Sequence, residues 1–214
     1  PESPAPSLDA AERHGLMPEL TMVMIEHVIA DITRWQRAGL DMGVSINISP
    51  VMLGDLDMPD RLNTRFLAGG IDPKRVTLEL TEDHLLDYGA QVLEVLSRLR
   101  IYGFRLSIDD FGTGATSIEQ LRLYPFNELK IDQSFVRAAR DDAFALTTVE
   151  TSTRLAAMLG MSVVAEGVET DAQLKLVSMA GAHIAQGFLI SRPMPGADLP
   201  GWIAEFESEA IAAA

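Results

Sequence analysis

The sequence predicts an α/β fold of the barrel type, and three observations carry that expectation. Six short apolar strands alternate with helical stretches. Each strand has one apolar face and one face bearing a polar residue near its C-terminal end. No low-complexity linker or internal repeat interrupts residues 16 to 205. Strands that alternate with helices imply a parallel sheet, either doubly wound or closed into a barrel.

Residues 1 to 8 hold three prolines and read as a loop. An amphipathic helix is expected from Pro18 to about Ala38, with Met22, Ile25, Val28, Ile29, Ile32 and Trp35 on its apolar side. The strands read as Gly43–Ser49, Val76–Thr81, Phe104–Asp109, Glu128–Asp132, Ser162–Glu166 and His183–Gly187. Between them, helices are expected at Gln91–Tyr102, Ser117–Leu123, Phe144–Leu159 and Asp171–Ala180. Gly103 and Gly160 each sit just past a helix, where a left-handed C-cap belongs.

Strand parity separates the two sheet types. Val76, Leu78 and Leu80 oppose Thr77 and Glu79; Leu106 and Ile108 oppose Ser107 and Asp109; Leu129 and Ile131 oppose Glu128 and Lys130. A doubly wound sheet lies under helices on both faces and should be apolar on both. A barrel has helices only outside, and its C-terminal mouth carries functional polar groups. Asn47, Glu79, Asp109, Lys130, Glu166 and Gln186 then form an inward ring, one residue per strand. The competing reading is six unrelated solvated residues, which does not explain why all six recur at one place in the unit. Such a barrel has eight strands. The fold expected is therefore a modified TIM-type (β/α)8 barrel with the first two strands absent from this chain, and residues 1–214 form one domain.

Bulk composition narrows the function. The chain has 214 residues, 47% hydrophobic and 22% charged, and a net charge of -14. So acidic a chain has no general attraction for duplex nucleic acid. An anionic ligand would need a local cation, and a metal ion supplies one. There is no cysteine, no apolar run approaching the roughly 20 residues of a membrane span, and no signal-peptide pattern at the start. A cytoplasmic location is expected.

Asp109 and Asp110 open the segment DDFGTGATS. Adjacent carboxylates repel unless a partner neutralises them, and divalent ions do so. Alone, this could be an Asp-rich turn before Gly; with Glu79 and Glu166 at neighbouring strand ends it reads as a site. Asn47, Glu79 and Asp109 are hard oxygen ligands on three consecutive strands, suited to Mg2+ or Mn2+. Lys130 lies beside them, where a cation orients water or stabilises phosphate charge, or else forms a structural ion pair. Glu82 and Glu169 follow Glu79 and Glu166 at the same spacing and read as loop supports or structural caps. Two metals in an acidic mouth suit phosphoester hydrolysis. Barrel lyases that abstract a proton next to a carboxylate combine the same residue types, so spacing alone leaves both open.

The segments SINIS, LELTE, IDDFGTG, NELKIDQSFV, VVAEGVET and QGFLISRP stand in one order and spacing. In this the chain resembles the EAL domain family, from about residue 4 to residue 205. The resemblance implies a phosphodiesterase that linearises cyclic di-GMP to pGpG with Mg2+ or Mn2+. It implies metal ligands at Asn47, Glu79, Asp109, Asp110 and Glu166, with Lys130 near the attacking water and Gln186 near the substrate. It also implies loop support from Glu82 and a matching role for Glu169. A homodimer, and fusion to or regulation by sensory, receiver or GGDEF domains, are expected on the same ground. Two departures stand out. The Glu-Ala-Leu motif, with its metal-ligating Glu, is absent, and Ala115 replaces an aromatic of the family loop. The alternative function is a catalytically silent domain of this family, serving as a cyclic di-GMP sensor or a protein-interaction module.

Overall fold

A computed structural model gives the structure of the protein and describes residues 5–82, 90–114 and 118–212. Two helices come first, α1 (Ala5–Arg13) and α2 (Met17–Arg37). Residues 5 to 8, expected in a loop, belong to α1. Proline is tolerated in a first helical turn, where its missing N–H has no partner to lose. Helix α2 buries Ile25 and Ile32 in the core.

Six parallel strands follow: β1 (Val44–Asn47), β2 (Val76–Thr81), β3 (Arg105–Phe111), β4 (Glu128–Ile131), β5 (Ser162–Ala165) and β6 (Ile184–Ala185). Helices α3 (Met58–Ala68), α4 (Ala90–Tyr102), α5 (Ile118–Leu123), α6 (Gln133–Ala138), α7 (Ala143–Leu159), α8 (Asp171–Ala180) and α9 (Leu199–Ala212) connect and follow them. The strands lie side by side in sequence order, β1-β2-β3-β4-β5-β6. A doubly wound sheet must reverse its order at a switch point, and this one does not. The sheet curls instead into a half-barrel.

Packing follows from parity. Val76, Leu78, Leu80, Leu106, Ile108, Leu129, Ile131, Val163 and Ala165 are buried on the helix side. Phe66 of α3 meets Phe104 edge to face, with centroids 5.6 Å apart. The concave side buries polar groups: Thr77, Glu79, Ser107, Asp109, Glu128 and Lys130. Strand β1 is the edge of the described sheet, and its inward residues Ser45 and Asn47 are exposed.

Element ends shift by a residue or two from those expected. Strand β3 runs on through Asp110 to Phe111. Strand β4 stops at Ile131, because Asp132 caps α6 by accepting a hydrogen bond from the backbone N–H of Ser134 at 3.0 Å. Strand β5 stops at Ala165 and β6 at Ala185, which leaves Glu166 and Gln186 just beyond their strands. Helix α7 ends on Gly160, whose φ of 71° is the left-handed cap expected there. Ala115 and Ser117 lie outside the described residues.

Candidate metal centre at the mouth of the sheet

The inward polar residues of β2, β3 and β4 meet on one amine. Lys130 Nζ donates to Glu79 Oε2 at 3.1 Å, to Asp109 Oδ1 at 3.1 Å and to Glu166 Oε1 at 2.6 Å. The lysine is only 3% exposed. Adjacent strands are offset by the stagger of a curled sheet, so residues at different register levels converge at the concave surface. Glu79 from β2 and Glu166 from just past β5 therefore reach the same ammonium.

Strand β3 carries the local irregularity that brings in the next carboxylate. Its register with β4 shifts between Ile108 and Phe111, so Asp109 and Asp110 together occupy one step of the ladder. Asp110 has φ of 55°, the left-handed region, which Asp tolerates better than most residues. A bulge of this kind re-aims a side chain that alternation would point away. Carboxylate oxygens of Asp109, Asp110 and Glu166 consequently lie within 4.8 Å of one another. Asp110 also shares a side-chain hydrogen bond with Asp132, which the sequence reading did not assign to the site. Asp132 has the parity of Glu128 and Lys130, so the alternation that found Lys130 could have found it.

The loop after β3 is tied from behind. Glu82 Oε2 accepts hydrogen bonds from the backbone N–H groups of Gly112 at 3.0 Å and Gly114 at 3.1 Å. Glu169 does not reach the carboxylate cluster. It pairs with Arg137 of α6 at 2.8 Å and lies in a cleft of about 210 Å3 with Gln133, Glu166, Gln186 and Phe188. Gln186 is thus beside the cluster and shares the cleft with Glu166. Asn47 stands level with Glu79 in the β1–β2 register, exposed on the edge strand.

Electrostatics follow from burial. Burial raises the Glu79 pKa, and Lys130 offsets part of that rise. Glu166 is raised by the same burial, again partly offset by Lys130. Asp110 is raised by burial and then by the charges of Asp109 and Asp132. For Lys130, burial works to lower the pKa, but the hydrogen bond to Glu166 and the charges of Glu79, Glu166 and Asp109 outweigh it and raise it. The lysine stays an ammonium while the carboxylates around it compete for protons. Hard, partly buried oxygen donors that resist holding so much negative charge fit a divalent cation.

A parallel half-barrel with an oxygen-donor cluster at the C-terminal ends of its strands defines a protein of the β/α-barrel class with a candidate metal site. Within that class, the pattern of the EAL domain family matches residues 2–193, and the chain belongs to this family. The oxygen sensor protein DosP of Escherichia coli is 30% identical over 201 residues, covering 94% of this chain and 25% of DosP. The cyclic di-GMP phosphodiesterase RocR of Pseudomonas aeruginosa is 32% identical over 192 residues, covering 90% of this chain and 49% of RocR. The chain thus spans a quarter to about half the length of these relatives. Among solved structures, the PaMucR phosphodiesterase in complex with c-di-GMP superposes with a TM-score of 0.87 at 31% identity, over 92% of this chain and 80% of that one. The manganese/cy-diGMP complex of Klebsiella pneumoniae BlrP1 superposes with a TM-score of 0.73 at 32% identity, over 80% of this chain and 44% of that one.

Proposed function

We propose that this chain is a metal-dependent phosphodiesterase domain that hydrolyses cyclic di-GMP to linear pGpG. The observation that carries the reading is the buried Lys130 ammonium held by Glu79, Asp109 and Glu166, with Asp110 beside them at the mouth of the sheet. The relatives named for cyclic di-GMP hydrolysis and the family's manganese complex support it.

Asp109, Asp110 and Glu166, with Glu79 and Asn47 from the neighbouring strands, would hold two divalent ions, Mg2+ or Mn2+. Bound there, the ions supply Lewis-acid stabilisation of phosphoryl charge and lower the pKa of the attacking water. The chain's own groups do the rest. Lys130 orients the water and opposes the charge that develops on phosphate. Glu166, 2.6 Å from Lys130 Nζ, would take the water's proton. The water oxygen bonds to phosphorus, the P–O3′ bond breaks, and the freed 3′ oxygen gains a proton. Gln186 and the cleft it lines receive the part of the dinucleotide next to Glu166.

The same proposal places the domain in a longer cytoplasmic protein, fused to sensory, receiver or GGDEF domains and working as a homodimer. The greater length of the relatives supports the fusion. Chromatographic assay of pGpG release by the intact parent domain, with Mg2+, with Mn2+ and with excess chelator, tests the chemistry. Release that depends on the metal is expected. Tight cyclic di-GMP binding without any release would favour the sensor reading instead.

A further inference from the structure

An ammonium with three hydrogens and three carboxylate partners has no donor left over. That is the state of Lys130, whose partners Glu79, Asp109 and Glu166 lie at 3.1, 3.1 and 2.6 Å. Two of those partners, Asp109 and Glu166, also belong to the trio of carboxylates that could hold a divalent ion. The lysine and a metal ion therefore draw on the same two carboxylates. We propose that Lys130 is a resident cation that holds the carboxylates together without metal, so that metal loading is an exchange of one cation for another. The inference rests on the metal-site reading given above.

The charge count makes a placeholder necessary. Glu79, Asp109, Asp110 and Glu166 bring four carboxylates to one partly buried mouth. Without a cation, like charges at this spacing would push the strand ends and the β3 loop apart, or take up protons. Lys130 is nine-tenths buried and more, on strand β4, which lies between β3 and β5 and pairs at Lys130 with Val164 of β5. Its amine keeps Glu79, Asp109 and Glu166 facing one point. With a divalent ion held by Asp109 and Glu166, its charge would oppose the ammonium, and Lys130 would loosen from at least one of these carboxylates. That released N–H is then free for the water or phosphate it is proposed to serve. The exchange thus couples metal arrival to the release of the lysine donor, and it makes metal affinity weaker than the four carboxylates alone would give.

The test compares the chain with Lys130→Met and Lys130→Arg, by melting with and without metal and by titration with Mn2+ alone. Lys130→Met should melt lower than the parent in chelator, gain more on Mn2+ addition, and bind Mn2+ about tenfold tighter or more. Lys130→Arg keeps the charge and should bind Mn2+ like the parent. Equal Mn2+ affinity and equal melting gain in parent and Lys130→Met would overturn the proposal while leaving the metal site standing. No Mn2+ binding by either protein would overturn both. A second measurement does not need a variant to fold. The chain has three lysines, Lys74, Lys130 and Lys175. Side-chain 15N spectra of the metal-free parent should show one protected ammonium that shifts as Mg2+ is added; no such signal, or one unmoved at saturating Mg2+, overturns the proposal.

Discussion

Glu82 accepts the backbone N–H of Gly112 at 3.0 Å, and by this bond a carboxylate at the end of β2 fixes the loop that leaves Asp109 and Asp110. The same oxygen takes the N–H of Gly114 at 3.1 Å. Charge-assisted bonds of this kind are about twice as strong as neutral ones. Glu82→Ala leaves two backbone donors without their acceptor and frees the loop. Metal affinity should fall about 10- to 100-fold, the usual cost of losing an outer-shell support. Isothermal titration with Mn2+ measures it, and unchanged affinity would assign Glu82 to structure alone.

Asp109 is the shared member of the site. It accepts from Lys130 and lies among the oxygens of the Asp110–Glu166 group. Asp109→Asn keeps the shape and removes the charge on which both contacts depend. Hydrolysis of cyclic di-GMP should fall by several orders of magnitude, and excess metal should not restore it. Circular dichroism showing a folded variant with full pGpG release would refute the assignment.

Much of this was legible beforehand, because a period of two is strict in a strand. Glu79, Asp109 and Lys130 were found from parity alone, and they meet at Lys130 Nζ. The expected strand ends at Asp109 and leaves out Asp110, because a bulge depends on the pairing of β3 with β4 and leaves no mark in the alternation. Asp132 shares the parity of Lys130 in the expected strand Glu128–Asp132, but it caps α6 just past the strand's observed end and meets Asp110 there. Helices α1, α3, α6 and α9 are not among those expected from the sequence. Helix α3 packs through Met58, Pro59, Leu62 and Phe66, an order that mixes helical spacing with a proline at its start.

The raised carboxylates give a pH signature, and its sign is fixed. Glu79 and Glu166 have folded pKa values above their ordinary 4.5, chiefly through burial. The folded state thus holds these protons more tightly than the unfolded state does. The stability this contributes is complete below the unfolded value and is lost as pH rises through the folded values. In chelator, these two groups should therefore contribute less stability at neutral than at acidic pH. Metal competes with the same protons, so the rise in Tm on adding Mn2+ should grow over that interval. Scanning calorimetry at several pH values decides it; a metal-induced shift that shrinks toward neutral pH would contradict the assignment.

Asp110 holds the last test, because its backbone and its charge pull against stability together. A non-glycine residue at φ of 55° costs on the order of 1–2 kcal/mol, somewhat less for Asp. Its carboxyl is pushed up by burial and by the charges of Asp109 and Asp132, so its charged form is disfavoured in the metal-free protein. Asp110→Gly removes both penalties. In chelator, the variant should melt higher than the parent by a few degrees, since about 1 kcal/mol moves Tm by roughly 2–4 °C in a chain of this size. With saturating Mn2+ the order should reverse, because the parent alone has the third carboxylate to bind the ion, and binding stabilises by mass action. Asp110→Asn separates the causes: it keeps the left-handed backbone and loses the charge. It should show a smaller gain in chelator and the same loss with metal. A variant that melts lower than the parent under both conditions would mean that Asp110 serves the fold rather than the ion.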